Sequence, residues 1–573
     1  MTSSPYDSAT PRRISDVEAE RFHAVSQEFG QLQTYRSTTA AQWEEVAELI
    51  LPHYRNTFMY GNYNFPGMKK TDRQVDSSGQ LALSRFGAIC DSLLTPRNQI
   101  WHQLEANDDY VMKDRATRLW FEKVTKLLFK HRYSASANFT SQNQQNYQVL
   151  GAFGTMSMFI DRLDKGVGIR YKAVPLGETF FRENHQGLID GCIRWFRLKA
   201  YQAERMWPGM LPPALQTALK ANSQTDFNFL HAVLPREDHD PKRLDSKGKP
   251  WTSTYVSIEG HCLVYKNGEE MEGGYTSFPF APGRYDQAPG EVYGRSPAMM
   301  VLPALKTLNA QKRTFLKQGH RAADPVLLTA DDGIVDFSMR PGALNKGGMS
   351  SEGRRLVDIL PTGNIQISEK MMDMERSLIN DTFLVTLFQV LTETPQMTAT
   401  EVIERTNEKG ILLAPTVGRQ TSEYLGPMID RELDLLAGLG VLPPMPPRLK
   451  EAKGEYQVVY TSPLSRAQRA QEAAGFMRTL ENVKELVAIT QDPSLLDPFD
   501  FDVAIPAIAN IQAVPESWMA DSQKIDAKRK ARAQSQSRQQ QIQAMPAQAA
   551  MVKAQAVAAK AQGSQPQQGA PLQ

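Results

Sequence analysis

Apolar side chains recur at three- and four-residue intervals through 39–51, 78–94, 110–131 and 138–150, which predicts helices with one inward face. The last of these is unusually polar, with Gln142, Asn143, Gln144, Gln145 and Asn146 in succession, so it is expected to face solvent or a neighbouring chain. From 151 to 290 the texture changes. Gly, Pro and aromatic residues punctuate short runs such as 168–175 and 192–198, and Arg194 and Arg197, interleaved with Trp195 and Phe196, suggest a partly exposed sheet. The runs 252–256 and 261–265, separated by Glu259-Gly260, read as a hairpin. This region is α+β in character, not a βαβ series.

Ser296-Pro297 then supplies an N-cap and a first-turn proline for a helix reaching about Arg321, with Pro303 as a point for a kink. Along it Lys306, Arg313, Lys317 and Arg321 are spaced 7, 4 and 4, which places all four near one face. Residues 324–364 are rich in Gly and Pro, with β-like runs such as Pro325-Val326-Leu327-Leu328. A helix resumes near Ile367, where Ile367, Met371, Met374 and Leu378 predict one buried apolar seam, suited to packing against the preceding helix or a neighbouring chain. Further on, Pro395 breaks the chain and Thr398 with Glu401 has the spacing of a capping box. A helix of roughly three turns should therefore start at Thr398 and stop at Gly410. Helices are expected again at 415–439 and 465–489.

The chain has 573 residues, 41% of them hydrophobic, more than one core of roughly 250–300 residues accommodates. No run approaches the ~18 apolar residues of a membrane span. The N-terminus lacks a signal peptide's basic and apolar regions, so folding in a cytoplasm is expected. The net charge of +2 hides a segregation. From Lys524 onward there are eight basic residues and one acid, Asp526, which gives +7 there and −5 for everything before. This Gln/Ala-rich end is broken by Pro546, Pro566 and Pro571 and is expected to be a flexible tail, although Ala, Gln and Lys also favour helix.

Catalytic and metal-binding patterns are missing. There is no G-x-x-x-x-G-K-[ST] loop, no G-x-S-x-G and no H-E-x-x-H. Cys90, Cys192 and Cys262 are far apart, so reduced thiols are expected, with neither a disulfide framework nor a zinc site. His231 and His239 lie near Asp238 and Asp240, but Pro235 and Pro241 suggest a solvated loop there. No cofactor and no catalytic residue is assigned.

Four strings together are more specific than any alone. They are 43–52 (Trp43 to Pro52), Leu94-Thr95-Pro96 with Trp101 and Leu104, Glu291-Val292-Tyr293-Gly294-Arg295-Ser296-Pro297-Ala298, and Met397-Thr398-Ala399-Thr400-Glu401-Val402-Ile403-Glu404-Arg405 with Gly418-Arg419. In this order they resemble the podovirus head-to-tail connecting (portal) proteins of tailed bacteriophages, over about 43–515. The resemblance implies an α+β, predominantly helical portal-type subunit. Its parts would be a polar N-terminal arm (1–38), a wing (39–290), a first stem helix (291–321) and a clip (322–365). A second stem helix (366–390), a tunnel loop (391–397), wing return helices (398–463), a helical crown (464–520) and the basic tail (521–573) would follow. It also implies a non-enzymatic ring, of 12 subunits, at one capsid vertex of a virion made in a bacterial cytoplasm. Double-stranded DNA would pass through it without sequence-specific contact. Terminase, capsid or scaffolding protein and tail adaptors would dock on it, with no membrane involved. Thr398, Thr400, Glu401 and Arg405 carry the signature, and Leu391, Thr392, Glu393, Thr394, Pro395 and Gln396 would form the tunnel loop. The stripe Lys306, Arg313, Lys317 and Arg321 would meet DNA or a neighbour's acids, although a basic helical face is more often simply solvated or salt-bridged. The rival reading is another virion structural protein, such as a tail or internal ejection protein.

Overall fold

The computed structural model describes residues 14–59, 67–265, 270–329, 338–361, 365–386, 415–452, 454–461, 463–491, 496–511, 514, 516–520 and 522–562. The chain divides into two compact units. One comprises Met1–Leu104, Val124–Pro444 and Val458–Phe499, and the other Glu105–Lys123, Met445–Gln457 and Asp500–Gln573.

The elements run α1 (Asp16–Leu49), α2 (Ser78–Leu94), β1 (His102–Ala106), α3 (Asp109–Met112), α4 (Arg115–Arg132), α5 (Phe139–Phe153), β2 (Thr155–Arg162) and β3 (Ile169–Ala173). Next come β4 (Thr179–Glu183), β5 (Ile189–Lys199), α6 (Ala200–Met206), α7 (Pro213–Lys220), β6 (Asp226–Val233), β7 (Trp251–Ser257), β8 (Cys262–Leu263), β9 (Gly273–Tyr275) and β10 (Phe280–Arg284). Then follow α8 (Pro297–Met300), α9 (Leu302–Ala323), β11 (Leu327–Thr329), β12 (Val357–Ile359), α10 (Ile365–Thr382) and α11 (Gly426–Gly438). The last are α12 (Pro447–Glu451), β13 (Tyr456–Tyr460), α13 (Pro463–Thr490), α14 (Phe501–Ile511) and α15 (Ser522–Gln562). The class is α+β and predominantly helical, as expected.

In the first unit an antiparallel sheet is ordered β4-β5-β6-β7-β8, with β9 on β7. Its strands alternate inward residues to both faces, so both are covered. Ile193, Trp195, Leu230 and Val256 pack under Phe22, Val25 and Phe29 of α1, while Phe196 and Phe229 pack against Trp207, Leu211 and Leu215 around α6 and α7. Each large apolar side chain so buried contributes roughly 1.5–3 kcal/mol. That contact explains the first departure from expectation. The helix predicted from residue 39 begins instead at Asp16, capped by the Ser15 hydroxyl accepting from the Glu18 amide at 3.2 Å, so most of the expected polar arm is helix. Arg36 interrupts its inner stripe and is only 2% exposed. Its guanidinium donates to the carbonyls of Leu176 (2.7 Å), Thr179 (2.8 Å) and Phe58 (3.0 Å) and lies 3.6 Å over the Phe180 ring. Burial pushes its pKa down to about 10, so it remains charged at neutral pH.

The hairpin β7–β8 and the helix α2 fall where the sequence puts them. The helix expected at 110–131 is two, because the Asp114 carboxylate caps α4 by accepting from the Thr117 amide at 3.3 Å. The polar run of α5 is split between two faces: Gln144 and Gln145 are exposed, as expected, whereas Asn143 and Asn146 are buried. The helix after Ser296 breaks at Val301, two residues ahead of Pro303, which sits in the first turn of α9. At 421–425 the helix leading into α11 makes a π turn. His231 is not in a solvated loop but buried on β6, stacked on Tyr255 at 4.1 Å with its Nε2 3.0 Å from the Ser253 hydroxyl. His239 is exposed.

In the second unit Arg118 pairs with Glu516 at 2.9 Å, Arg115 donates to the Met519 carbonyl at 3.0 Å, and Glu122 accepts from the Ser517 amide at 3.1 Å. The expected flexible tail is a helix over Ser522–Gln562, consistent with the high helix propensity of its Ala, Gln, Lys and Arg residues.

Candidate functional site

Three of the four sequence strings are described, and all three build the core of the first unit. Trp43, fully buried, donates its indole N–H to the Phe153 carbonyl at 3.0 Å and meets Tyr293 edge-on at 5.1 Å. Tyr293 in turn accepts from the Phe181 amide at 3.1 Å. The Ser296 hydroxyl caps α8 by accepting from the Met299 amide at 3.0 Å and donates to the Ala152 carbonyl at 2.9 Å. The string around Tyr293 thus fixes the start of the α8–α9 pair to the end of α5. Gly154 and Gly294 permit this close approach. A Cβ on Gly294 would stand 2.3 Å from the Gly154 carbonyl oxygen, and one on Gly154, at φ +74°, 2.4 Å from that of Gly294. Gly294→Ala is therefore expected to destabilise the subunit by about 1–3 kcal/mol in urea unfolding, and an unchanged midpoint would contradict this packing.

The second string forms a polar knot. Thr95 donates to Asp91 at 2.9 Å, and Asn143 donates to both Asp91 (2.9 Å) and Thr95 (2.8 Å) while accepting from the Tyr424 hydroxyl at 2.7 Å. Trp101 donates to the Tyr133 hydroxyl at 3.0 Å and lies beneath Arg132, whose guanidinium carbon is 4.6 Å from its ring centre. Arg132 and Glu432 form an ion pair with both side chains at 0% exposure. Tyr171 donates to Glu432 at 2.6 Å, and His102 Nε2 accepts from Arg132 at 2.9 Å. Burial opposes the charge on Arg132, but Glu432 outweighs it and holds the guanidinium above its ordinary pKa. Burial, then Arg132, drives His102 well below its own, so it stays neutral.

The helices α9 and α10 form the candidate functional element. Ser368 near the start of α10 bonds Gln318 near the end of α9 at 3.3 Å, whereas Arg376 and Asn309 both reach the 73–76 segment, so the helices run antiparallel. That segment clamps them to the rest of the first unit. Asn309 accepts from the Val75 amide at 2.8 Å and donates to the Arg73 carbonyl at 3.0 Å, which also accepts from Arg313 at 2.9 Å. Asp76, 7% exposed, pairs with Arg376 at 3.1 Å and accepts from the Ser78 amide at 2.8 Å. Burial alone would raise the Asp76 carboxyl, but the bonds from Ser78 and Arg376 outweigh it and hold it below its ordinary pKa. A depressed carboxylate stabilises the fold above its unfolded pKa, and that contribution is lost as pH falls through the folded value. Asp76→Asn is thus expected to cost about 1–3 kcal/mol at neutral pH and to flatten the acid limb of the stability profile. Equal stability at pH 7 would contradict the clamp.

The four basic stripe residues of α9 are all exposed, on the side opposite its buried Leu305 and Leu308. Two are engaged within the subunit: Lys306 pairs with Glu45 at 2.7 Å, and Arg313 bonds Arg73. Lys317 and Arg321 have no partner among the described residues. The seam on α10 is not buried within the subunit, which leaves a neighbour as the partner its spacing allows. Ile367, Met371, Met374 and Leu378 are 57%, 49%, 73% and 51% exposed, whereas Met372 and Ile379 are buried. The inward face lies one residue along, about 100° around the axis.

The 397–405 part of the fourth string, with Thr398, Thr400, Glu401 and Arg405, lies outside the described residues, as does the expected tunnel loop, Leu391, Thr392, Glu393, Thr394, Pro395 and Gln396. Among the described residues no cluster of His, Cys, Asp or Glu could hold a metal, and no helix is long and apolar enough to cross a membrane. The three cysteines are free thiols.

The sequence matches the model of the family described as "Bacteriophage head to tail connecting protein" over residues 23–519. It is 26% identical over 518 residues to the probable portal protein of Bordetella phage BPP-1, covering 89% of this chain and 90% of that one. It is 24% identical over 532 residues to the portal protein of Salmonella phage epsilon15, covering 91% and 92%. A chain in the virion of a native gene transfer agent particle aligns over 70% of this chain and 85% of its own, with 11% identity and a TM-score of 0.32, too low to establish a shared fold. The match across most of its length makes the chain a member of the bacteriophage head to tail connecting protein family.

Proposed function

We propose that the chain is one subunit of a bacteriophage portal, a ring at one capsid vertex of the virion through which double-stranded DNA is packaged and ejected. The observation that carries this reading is the family match over residues 23–519, with two curated portal relatives spanning nearly the whole chain. The geometry suits the role. A heterologous, head-to-tail contact must close to make a ring, so each subunit needs an outward surface for its neighbour. The exposed seam of α10 provides one that the subunit itself leaves uncovered.

In this reading 39–290 is the wing, α9 and α10 are the stem helices, and 322–365 is the clip. The tunnel loop at 391–397 joins the second stem helix to the return helices at 398–463, which open on the signature and lead to the crown at 464–520. No side chain is buried among the described residues of 324–361, which suits a subdomain completed by contacts with other chains. Terminase, capsid or scaffolding protein and tail adaptors are its partners. Lys317 and Arg321 are the stripe residues left to meet DNA or a neighbour's acids. DNA carries a charge every ~1.7 Å, and a lumen dense in phosphate-binding cations would hold it fast. A body with a net charge of −5 before residue 524 favours sliding. The subunit is synthesised in the host cytoplasm, and its role is positional, with no catalytic residue or cofactor.

Sedimentation velocity over a range of salt concentrations tests the assembly. Twelve copies of a 64.2 kDa chain predict a discrete particle of about 770 kDa. Single chains under every condition would overturn the proposal. Incubation with DNA, Mg²⁺ and ATP should release neither phosphate nor DNA fragments.

A further inference from the structure

The helix α15 cannot be explained by packing. It spans 41 residues, about 60 Å, and every residue of it with a described side chain is exposed. Its described side chains form no apolar face: Ile525, Met551, Val552 and Val557 are scattered and 37–68% exposed. A helix polar all round is held by something other than its own subunit's core. Its charge is concentrated near its start, where Lys524, Lys528, Arg529, Lys530, Arg532 and Arg538 face one acid, Asp526. Arg529 is engaged by Asp502, with one contact of 2.9 Å. Lys524, Lys528, Arg532 and Arg538 are spaced 4, 4 and 6, so they share an arc of about 120° along about 21 Å of helix.

We infer that this stripe is a second nucleic-acid contact, a sequence-independent binding site for the phosphate backbone of duplex DNA at the C-terminal end of the subunit. A 21 Å row of cations matches several phosphates of a duplex. Gln534, Ser535, Gln536 and Gln539 lie on or next to the same arc and add neutral hydrogen-bond donors. An acidic protein partner is less well served. Protein interfaces are anchored by buried aromatic or large apolar side chains, and 522–540 contains no aromatic residue and one large apolar one, Ile525. The choice of DNA over another polyanion rests on the portal reading, whereas the charge argument does not. Copies of the stripe brought together in a ring would bind through multivalency, although each alone is weak.

The test is fluorescence anisotropy of a labelled random-sequence 20-bp duplex, titrated with the full-length protein from 50 to 300 mM salt. The quadruple variant Lys524→Gln, Lys528→Gln, Arg532→Gln, Arg538→Gln keeps helix-favouring residues. It should bind at least tenfold more weakly at 50 mM salt, with the slope of log K against log salt shallower by roughly three to four per subunit engaged. A charge-preserving variant, Lys524→Arg with Lys528→Arg, should behave as the parent. Sedimentation of the quadruple variant should still give the parent's assembly, which separates failure of this site from failure of the portal reading. Unchanged DNA affinity and slope in the quadruple variant would overturn the inference. So would loss of binding to polyglutamate with binding to the duplex retained.

Discussion

Replacing Met374 and Leu378 by glutamate is expected to leave the subunit folded and to abolish its assembly. Isolated exposed leucines are ordinary on a protein surface. Here four large apolar side chains line one face of α10, and the opposite demand of the same helix, its own core contact, is already met by Met372 and Ile379. Burying each against a neighbouring copy contributes roughly 1.5–3 kcal/mol, repeated at every interface of a closed ring. Two carboxylates in that contact would have to be desolvated without partners, which reverses the sign. Sedimentation should therefore find single chains in place of a large particle, with an unchanged circular dichroism spectrum. Persistent rings in the double variant would remove the seam from the interface.

The second large effect is internal. Arg132→Met should destabilise the subunit by about 3–5 kcal/mol, because it leaves Glu432 charged in a site with no exposure and only the Tyr171 hydroxyl for company. Adding Glu432→Gln should recover part of the loss, since the uncompensated charge is then gone. Urea unfolding of the single and double variants measures both. A single variant within 1 kcal/mol of the parent would mean that the pair is solvated. The consequence reaches beyond stability, because Arg132 and Glu432 tie α4 to α11, which lies downstream of the residues assigned to the tunnel loop and signature.

What the sequence disclosed followed the strength of the local signals. The cap at Ser296, the hairpin β7–β8 and the span of α2 rest on residues whose local chemistry has one outcome, and each is found in place. The long start of α1 was hidden because Arg36 occupies an inward position, where its stem packs on Phe180 and its donors find carbonyls. A rule that counts arginine as outward breaks the stripe there. Asn143 misleads for the same reason, since its amide is satisfied internally by Asp91, Thr95 and Tyr424. On α10 a seam of period 3.6 says that a face is apolar, not which chain covers it, and within the subunit that face stays exposed. The buried face, one residue along, is weaker in sequence because Ser368, Glu375 and Arg376 share it. The polar helix α15 carries no periodicity to read, and only its composition spoke for helix. The links Trp43–Phe153, Trp43–Tyr293 and Gly154–Gly294 each cross more than a hundred residues, and no local pattern announces them.

Electron microscopy of the purified full-length protein, viewed down the symmetry axis of any assembled particle, tests the central claim most directly. A ring of identical subunits around an axial hole wide enough for duplex DNA, with α9 and α10 forming its inner column, is the predicted image. A solid globule, a fibre, or a ring in which those two helices lie on the outer rim would contradict it.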